Sequence, residues 1–338
     1  MDTVAADLEV LVEDGRTALV QVSDVDDMGA AREWLTAHRP ALRAAMVDHG
    51  AVLVRGLPVT ATEEFAQARD LLIDQRVAYR EKATPRSDFG DGVFSSTNLP
   101  PAQAIEQHNE NSYTLEFPGM LLFGCLVAPE TGGATPVADS RAVLAGLPAD
   151  LVERFRTTGW LLRRSFHAHV SLPWTTAFGT EDRAEVEGYC ARNLIALRWE
   201  AGDGLLTSQR RPATIHHPGT GAEVWFNHVA FWNEFSLDAE VREVLLSSYG
   251  DVGMPFQTRY GDGSVIAEEE IAVINDVYRT ARRREAWQRG DLLLVDNILA
   301  SHGREPYRGD RRIVVAMGEP TRLVDCAPTV EPEPGPLD

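Results

Sequence analysis

The chain has 338 residues, and 44% of them are hydrophobic, which is enough to bury the core of one large domain. Its 32 basic and 51 acidic residues give a formal net charge of −19, and a surface of this sign repels phosphate backbones and anionic membranes. Neither nucleic acid nor a membrane is therefore expected as a partner.

The three cysteines are too scattered for a disulfide framework or for a Cys-x-x-Cys metal site. The acidic N-terminus lacks the basic and apolar regions of a signal peptide, and no apolar run reaches the length of a transmembrane span. We therefore expect a soluble protein of the reducing cytoplasm. The oligomeric state cannot be read from the sequence.

The first part of the chain predicts a lead-in to a β-rich core. Apolar and β-branched residues predict strands at 17–22 and 51–57. A helix is expected from about residue 29 to 48, with a break near Pro40, because proline lacks the amide hydrogen that a helix interior uses. A second helix is predicted over about 60–74.

Residues 80–104 are rich in Gly, Pro, Ser and Asp and predict a long loop. A loop of this length in a compact domain is usually functional or disordered. Because it directly precedes the segment with the strongest chemical signal, we expect it to form a lid over the functional site.

That segment, residues 107–113, reads Gln-His-Asn-Glu-Asn-Ser-Tyr. In an extended chain, side chains two residues apart leave the same face, so His108 and Glu110 can point toward one metal ion. A third ligand is expected from a distant part of the chain, where a buried apolar run leads to a polar turn that carries His302. Two imidazoles and one carboxylate form the facial triad of non-haem Fe(II) oxygenases. A single histidine is more often structural than a metal ligand, so the surrounding segments are needed to choose between the two roles.

Those segments are consistent with one site. Gly132 and Gly133 predict a turn that is followed by the hydroxyl of Thr135. Helical insertions are expected at about 139–200 and 237–284. The first contains His167-x-His169, a rival metal pair that has no suitably spaced acidic residue nearby.

The last part of the chain predicts a strand at 311–317 that begins with Arg311 and Arg312. Residues 327–338 contain four prolines and three acidic residues, which predicts a disordered tail. Residues 1–326 are expected to form a single domain.

The order His-x-Glu, Gly-Gly-x-Thr, Asn-x4-His-Gly-Arg and Arg-Arg-Ile resembles the taurine dioxygenase-like (TauD/TfdA) family of Fe(II)/2-oxoglutarate oxygenases. Three segments are most similar to the SyrP-like branch of that family: HNENSY, SST at 95–97 and HGREPYRGDRRIVVAM. The resemblance covers roughly residues 45–320. It implies a mainly β fold with helical insertions, the clavaminate synthase-like double-stranded β-helix or jelly roll, which brings early and late strands to one mouth.

The resemblance also implies the cofactors and the residues that hold them. His108, Glu110 and His302 would be the catalytic Fe(II) ligands, and 2-oxoglutarate and O2 would be the cosubstrates. The distal carboxylate of 2-oxoglutarate would meet Thr135 and one of two arginines, since consecutive strand residues point to opposite faces. We favour Arg311 because the branch often has lysine at the second position of the Arg-Arg pair. The spacing from His302 does not exclude Arg312.

Because Glu110 supplies the carboxylate that related halogenases lack, the resemblance implies hydroxylation or desaturation of an unactivated C–H bond. The implied substrate is an amino acid or small peptide, free or on a carrier protein, in natural-product biosynthesis such as that of antibiotics. Asn111, Ser112 and Asn227 are the candidate substrate contacts. A sulfonate or small-acid dioxygenase of catabolism and a non-catalytic cupin-like metal-binding protein are the alternatives. A zinc hydrolase is disfavoured, because no His-Glu-x-x-His motif is present.

Overall fold

The computed structural model describes residues 8–77, 81–84, 86–167, 171–250 and 253–337. Its strands are β1 Ala18–Gln21, β2 Ala51–Arg55, β3 Phe94–Ser95, β4 Ile105–His108, β5 Glu116–Val127, β6 Thr131–Gly132, β7 Val137–Asp139, β8 Trp160–Phe166, β9 Ala196–Glu200, β10 Gly204–Arg211, β11 Thr214–His216, β12 Glu223–Trp225, β13 Phe256–Tyr260, β14 Arg282–Arg283, β15 Leu292–Asp296, β16 Ala300–Arg304, β17 Tyr307–Arg308, β18 Arg312–Arg322 and β19 Glu333–Pro334. Its α-helices are α1 Met28–His49, α2 Thr62–Leu72, α3 Ser140–Gly146, α4 Ala149–Thr158, α5 Trp174–Phe178, α6 Arg183–Arg192, α7 Ala239–Tyr249 and α8 Glu268–Ala281. Within the described ranges, no helix is long and apolar enough to cross a membrane.

Two sheets form the centre of the molecule. The larger has the strand order β1-β2-β15-β5-β18-β3, and the smaller has the order β14-β7-β16-β4. Apart from the parallel β1–β2 pair, neighbouring strands in both sheets are antiparallel. Apolar side chains of both sheets pack together in one buried cluster, which includes Phe123, Val137, Val295, Ala300 and Val315. This sheet-on-sheet arrangement is the jelly roll that the sequence predicts.

The outer face of the larger sheet is covered by α1 and α2. Because successive strand residues point to opposite faces, Leu122 and Leu294 pack outward against Leu35 and Phe65 of these helices. Gly124 makes the close approach possible, since a Cβ atom there would lie 2.4 Å from the ring of Phe65. The central strands are thus buried on both faces, which explains their nearly continuous apolar sequences.

The predicted break at Pro40 is wrong, because α1 continues through it from Met28 to His49. Proline removes one backbone hydrogen bond from the helix interior. Leu35 before it and Leu42 after it are both fully buried in the same core. Packing on both sides of Pro40 therefore outweighs the missing bond.

The two predicted insertions are only partly helical. They contain α3 to α8, but they also contribute β8, β9 and β13 to a sheet in which β8 and β9 both pair with β10. All but one of the residues of β8 are buried. Such a short apolar run without alternation does not distinguish a strand from a buried helix in the sequence.

Residues 327–337 also depart from the expectation of a disordered tail, since they make regular backbone contacts. Glu333 and Pro334 pair with the edge of β10, and the amide of Gly335 donates to Ser208 O over 3.0 Å. The hydroxyl of Thr329 donates to Thr214 O over 3.0 Å. Proline is tolerated in an edge strand, so the composition that indicated disorder is compatible with pairing.

Candidate active site

His108 and His302 face each other across the antiparallel β4–β16 pair. Their Cα atoms are register partners, and their ring centroids lie 4.4 Å apart. Directly opposed residues of neighbouring strands project from the same face, so both imidazoles point into one space. Although the two residues are distant in sequence, the sheet makes them neighbours.

Glu110 completes the cluster from just beyond the end of β4. The chain turns at Asn111, which has a φ of 55°. The Oε2 atom of Glu110 lies 3.7 Å from Nε2 of His302. The ligand atoms of the two histidines and the glutamate all lie within 4.8 Å of one another, and all three residues are buried.

Hydrogen bonds fix the positions of His108 and Glu110. Nδ1 of His108 lies 2.8 Å from Glu106 O, which leaves Nε2 for a metal. The side chain of Asn297 holds the backbone of Glu110: its Oδ1 accepts from Glu110 N over 2.7 Å, and its Nδ2 donates to Glu110 O over 2.9 Å and to Pro118 O over 2.7 Å. The asparagine of the Asn-x4-His motif is therefore a support for the carboxylate ligand.

Electrostatics favour the form of the histidines that binds metal. Burial lowers the pKa of His108 and holds the pKa of His302 well below its usual value, and the nearby cation of Arg86 acts in the same direction. Neutral imidazole is the metal-binding form, so the cluster is prepared for a cation. Two imidazole nitrogens and one carboxylate oxygen, grouped on one side, match the facial donor set of a non-haem Fe(II) site.

The rival His167-x-His169 pair is not supported by the residues described. Nε2 of His167 lies 2.6 Å from the hydroxyl of Ser165, and His167 belongs to no group of potential metal ligands within the described ranges. His169 itself lies outside the described residues.

A cavity extends from the cluster to Thr135 and Arg311. NH2 of Arg311 lies 3.4 Å from the hydroxyl of Thr135, and its Nε donates to Gly133 O over 2.9 Å. Burial lowers the pKa of Arg311 to about 10, so the side chain remains a cation at neutral pH. Arg312, the first residue of β18, is exposed. Arg311, which precedes β18, is therefore the arginine of the pair that lines the cavity.

The turn that carries Thr135 depends on glycine. Gly132 and Gly133 have φ values of 68° and 69°, in the left-handed region that other residues rarely occupy. A Cβ atom on Gly132 would lie 2.2 Å from Pro306 O. The Gly-Gly-x-Thr motif thus allows the turn to pass close to the loop after β16.

The predicted lid lies beside the cluster and is held there by Arg304. Its NH1 donates to Thr97 O over 3.2 Å and to Leu99 O over 3.1 Å, and its NH2 donates over 2.8 Å to Pro100 O and to Gln103 O. Arg304 lies two residues after His302 on β16. The arginine of the His-Gly-Arg motif therefore ties the lid to a strand of the site.

Sequence reasoning missed Arg86, which reaches from the lid into the site. Its NH2 donates to Oε2 of Glu110 over 2.8 Å. The residue lies in an irregular segment, where neither periodicity nor a motif distinguishes it from other lid residues. The feature of the sequence that pointed to Arg86 was its position in the predicted lid.

A second cavity adjoins the other side of the cluster. It is lined by Arg86 and by the rings of Tyr113, His228, Phe231 and Trp232, among others. Burial holds the pKa of His228 well below its usual value, so its ring is neutral. This space, beside Glu110, is where a small organic molecule could approach the cluster.

The three predicted substrate contacts line neither of these two cavities. The hydroxyl of Ser112 lies 2.6 Å from Nδ1 of His228, behind the cavity wall. Asn227 donates to Ala213 O over 3.0 Å and accepts from Val229 N over 2.9 Å. Asn111 accepts from the hydroxyl of Tyr113 over 3.4 Å. In the structure all three side chains therefore have hydrogen-bond partners within the protein.

Comparison with known proteins identifies the class. The model of the family described as "Taurine catabolism dioxygenase TauD, TfdA family" matches residues 19–317. Dapdiamide synthesis protein DdaC of Enterobacter agglomerans is 36% identical over 303 residues, which cover 90% of this chain and 91% of that protein. A clavaminate synthase-like protein of Arabidopsis thaliana is 28% identical over 291 residues, covering 82% of this chain and 83% of the relative.

Solved structures share the fold at low identity. PvcB from Pseudomonas aeruginosa has a TM-score of 0.52 at 14% identity and covers 96% of this chain and 94% of its own. A taurine dioxygenase from Burkholderia xenovorans has a TM-score of 0.51 at 15% identity, with 94% and 92% covered. The chain therefore belongs to the TauD/TfdA family and is an Fe(II)/2-oxoglutarate-dependent oxygenase.

Proposed function

We propose that the enzyme hydroxylates or desaturates an unactivated C–H bond of an amino acid or small peptide, free or bound to a carrier protein, in natural-product biosynthesis. The observation that carries the reaction class is the buried cluster of His108, Glu110 and His302. The name of the relative DdaC, a dapdiamide synthesis protein that aligns over 90% of this chain, supports a biosynthetic role.

In this proposal the three cluster residues are the iron ligands, and iron with 2-oxoglutarate and O2 supplies the oxidising power for C–H cleavage. Arg311 and Thr135 bind the distal carboxylate of 2-oxoglutarate. The guanidinium and the hydroxyl are 3.4 Å apart at the end of the cavity that begins at the cluster, so one carboxylate can contact both. The exposed Arg312 has no part in this contact.

The carboxylate of Glu110 also bears on the outcome of the reaction. It fills the position that a halide would need, so the proposal is hydroxylation or desaturation rather than halogenation. The rings of Tyr113, Phe231 and Trp232 line the second cavity and offer apolar surface to the substrate.

A sulfonate or other small-acid dioxygenase of catabolism is the second candidate. The observation that favours it is the cation of Arg86 on the wall of the second cavity, where an anionic substrate group could bind. Measuring succinate release with free amino acids in one set and with taurine and related sulfonates in another separates the two. Stimulation by sulfonates alone would replace the first proposal with the second.

The cofactor roles are tested by anaerobic titration of the metal-free protein with Fe(II) and 2-oxoglutarate. We expect the weak visible charge-transfer band of the chelate, and its loss in His302→Ala. In Arg311→Gln the affinity for 2-oxoglutarate should fall roughly 10- to 100-fold, the value of a charge-assisted hydrogen bond. Arg312→Gln is the matched control and should bind normally. If iron binds but no band forms, the assignment of the cosubstrate site is wrong.

A further inference from the structure

The lid carries a buried arginine whose position the iron site alone does not explain. NH2 of Arg86 donates to Oε2 of Glu110 over 2.8 Å, and the two side chains are only 7% and 6% exposed. The same carboxylate oxygen lies 3.7 Å from Nε2 of His302. The guanidinium thus contacts the oxygen that faces the other ligands, which is the oxygen that a metal would bind.

Whether Arg86 stays in contact with Glu110 depends on the other positive charges near that carboxylate. A buried carboxylate among neutral imidazoles needs a compensating cation, because an unpaired buried charge is strongly unfavourable. In the structure Arg86 supplies that cation. A divalent ion among His108, Glu110 and His302 would supply two positive charges and repel the guanidinium at this short distance. Arg86 and the metal therefore compete for Glu110.

The displaced guanidinium has a second anion within reach. Arg86 lines the cavity that also contains Thr135 and Arg311, and it stands at the end nearest the cluster. A dicarboxylate that occupies this cavity brings two negative charges, and Arg311 at the far end accounts for one of them. A cation at the near end complements the other.

We propose that Arg86 is the counter-ion of Glu110 in the metal-free protein, that metal binding displaces it, and that it then helps to bind 2-oxoglutarate. The inference rests on the iron and 2-oxoglutarate sites proposed above. The lid would then take part in binding both ligands. Metal binding would break the contact between Arg86 and Glu110, and 2-oxoglutarate would form a new contact with Arg86.

The test uses Arg86→Gln in the full chain and two binding measurements that do not require turnover. Mn(II) alone is titrated into the metal-free protein and followed by electron paramagnetic resonance, and 2-oxoglutarate is then titrated into the Mn(II)-loaded protein by calorimetry. We expect Mn(II) to bind at least about tenfold more tightly and 2-oxoglutarate at least about tenfold more weakly. Arg86→Lys keeps the charge, so both of its affinities should lie between those of the wild type and of Arg86→Gln.

The opposite signs distinguish this role from a structural one, because a distorted lid would weaken both ligands. Unchanged or weaker Mn(II) binding in Arg86→Gln would overturn the competition, and unchanged 2-oxoglutarate binding would overturn the second step. Arg322→Gln is the control, since Arg322 is exposed and pairs with Asp325, outside the lid. Both of its affinities should equal those of the wild type.

His302→Ala separates this inference from the site on which it rests. If that variant binds Mn(II) as tightly as the wild type, the proposed metal site itself is wrong. If it loses Mn(II) while Arg86→Gln behaves as the wild type does, only the role of Arg86 is wrong.

Discussion

Replacing Asn297 with alanine tests how the carboxylate ligand is held. Asn297 is fully buried, and its amide makes three hydrogen bonds, two to the backbone of Glu110 and one to Pro118 O. Each bond contributes about 0.5–1.5 kcal/mol, and a buried group that loses its partner costs about 1–3 kcal/mol. Since three backbone groups lose their partner together, we expect Asn297→Ala to lower the free energy of unfolding by about 3–5 kcal/mol.

Urea unfolding of the metal-free protein, followed by circular dichroism, measures this change. Mn(II) affinity, measured in parallel, should fall roughly 10- to 100-fold, as is usual when a group that orients a metal ligand is removed. Asn275→Ala is the control: Asn275 is partly exposed and donates to Ser236 over 3.2 Å, so its loss should cost no more than about 1 kcal/mol. A loss of less than about 1 kcal/mol in Asn297→Ala, with unchanged metal affinity, would refute the reasoning.

Three further predictions concern the rest of the fold. Burial raises the pKa of the Cys125 and Cys190 thiols to about 12 and that of the Cys326 thiol to about 11. At pH 8 a thiol reagent should therefore label the unfolded protein far faster than the native protein. Deleting residues 327–338 removes β19 and should lower the Tm by several degrees in a thermal-shift assay, whereas an unchanged Tm would favour a disordered tail. Gly124→Ala should cost about 1–3 kcal/mol in urea unfolding because its Cβ meets Phe65, while Gly188→Ala, where the nearest atom is the flexible end of Arg192, should be tolerated.

Much of the site was accessible to sequence reasoning because its residues occur in short, ordered motifs. His108 and Glu110 are two residues apart, and His302 follows a buried strand, so chain geometry limits where each can point. The sequence offered both Arg311 and Arg312, and in the structure Arg311 lines the cavity while Arg312, the first residue of β18, is exposed. The jelly roll followed from the family resemblance, and the sheet order agrees with it.

What the sequence could not supply depends on contacts between distant segments. Arg86 lies in an irregular loop, so nothing local predicts that it reaches Glu110. Ser112 is near the cluster in sequence, but its partner is His228, and the pair forms only when β12 and the loop after β4 come together. Proline composition misled twice, at Pro40 and in the C-terminal residues, because burial and edge pairing decided those conformations.

The cross-strand placement of His108 and His302 has a consequence for how the enzyme is made. An ion held by both would act as a removable cross-link between strands from opposite halves of the chain. A growing polypeptide could not hold that ion until β16 had been synthesised and paired with β4. A bound ion adds stability by mass action, about 2.7 kcal/mol at a free metal concentration of 100 times Kd. Enzyme made without that ion would be less resistant to heat and proteolysis than the loaded form.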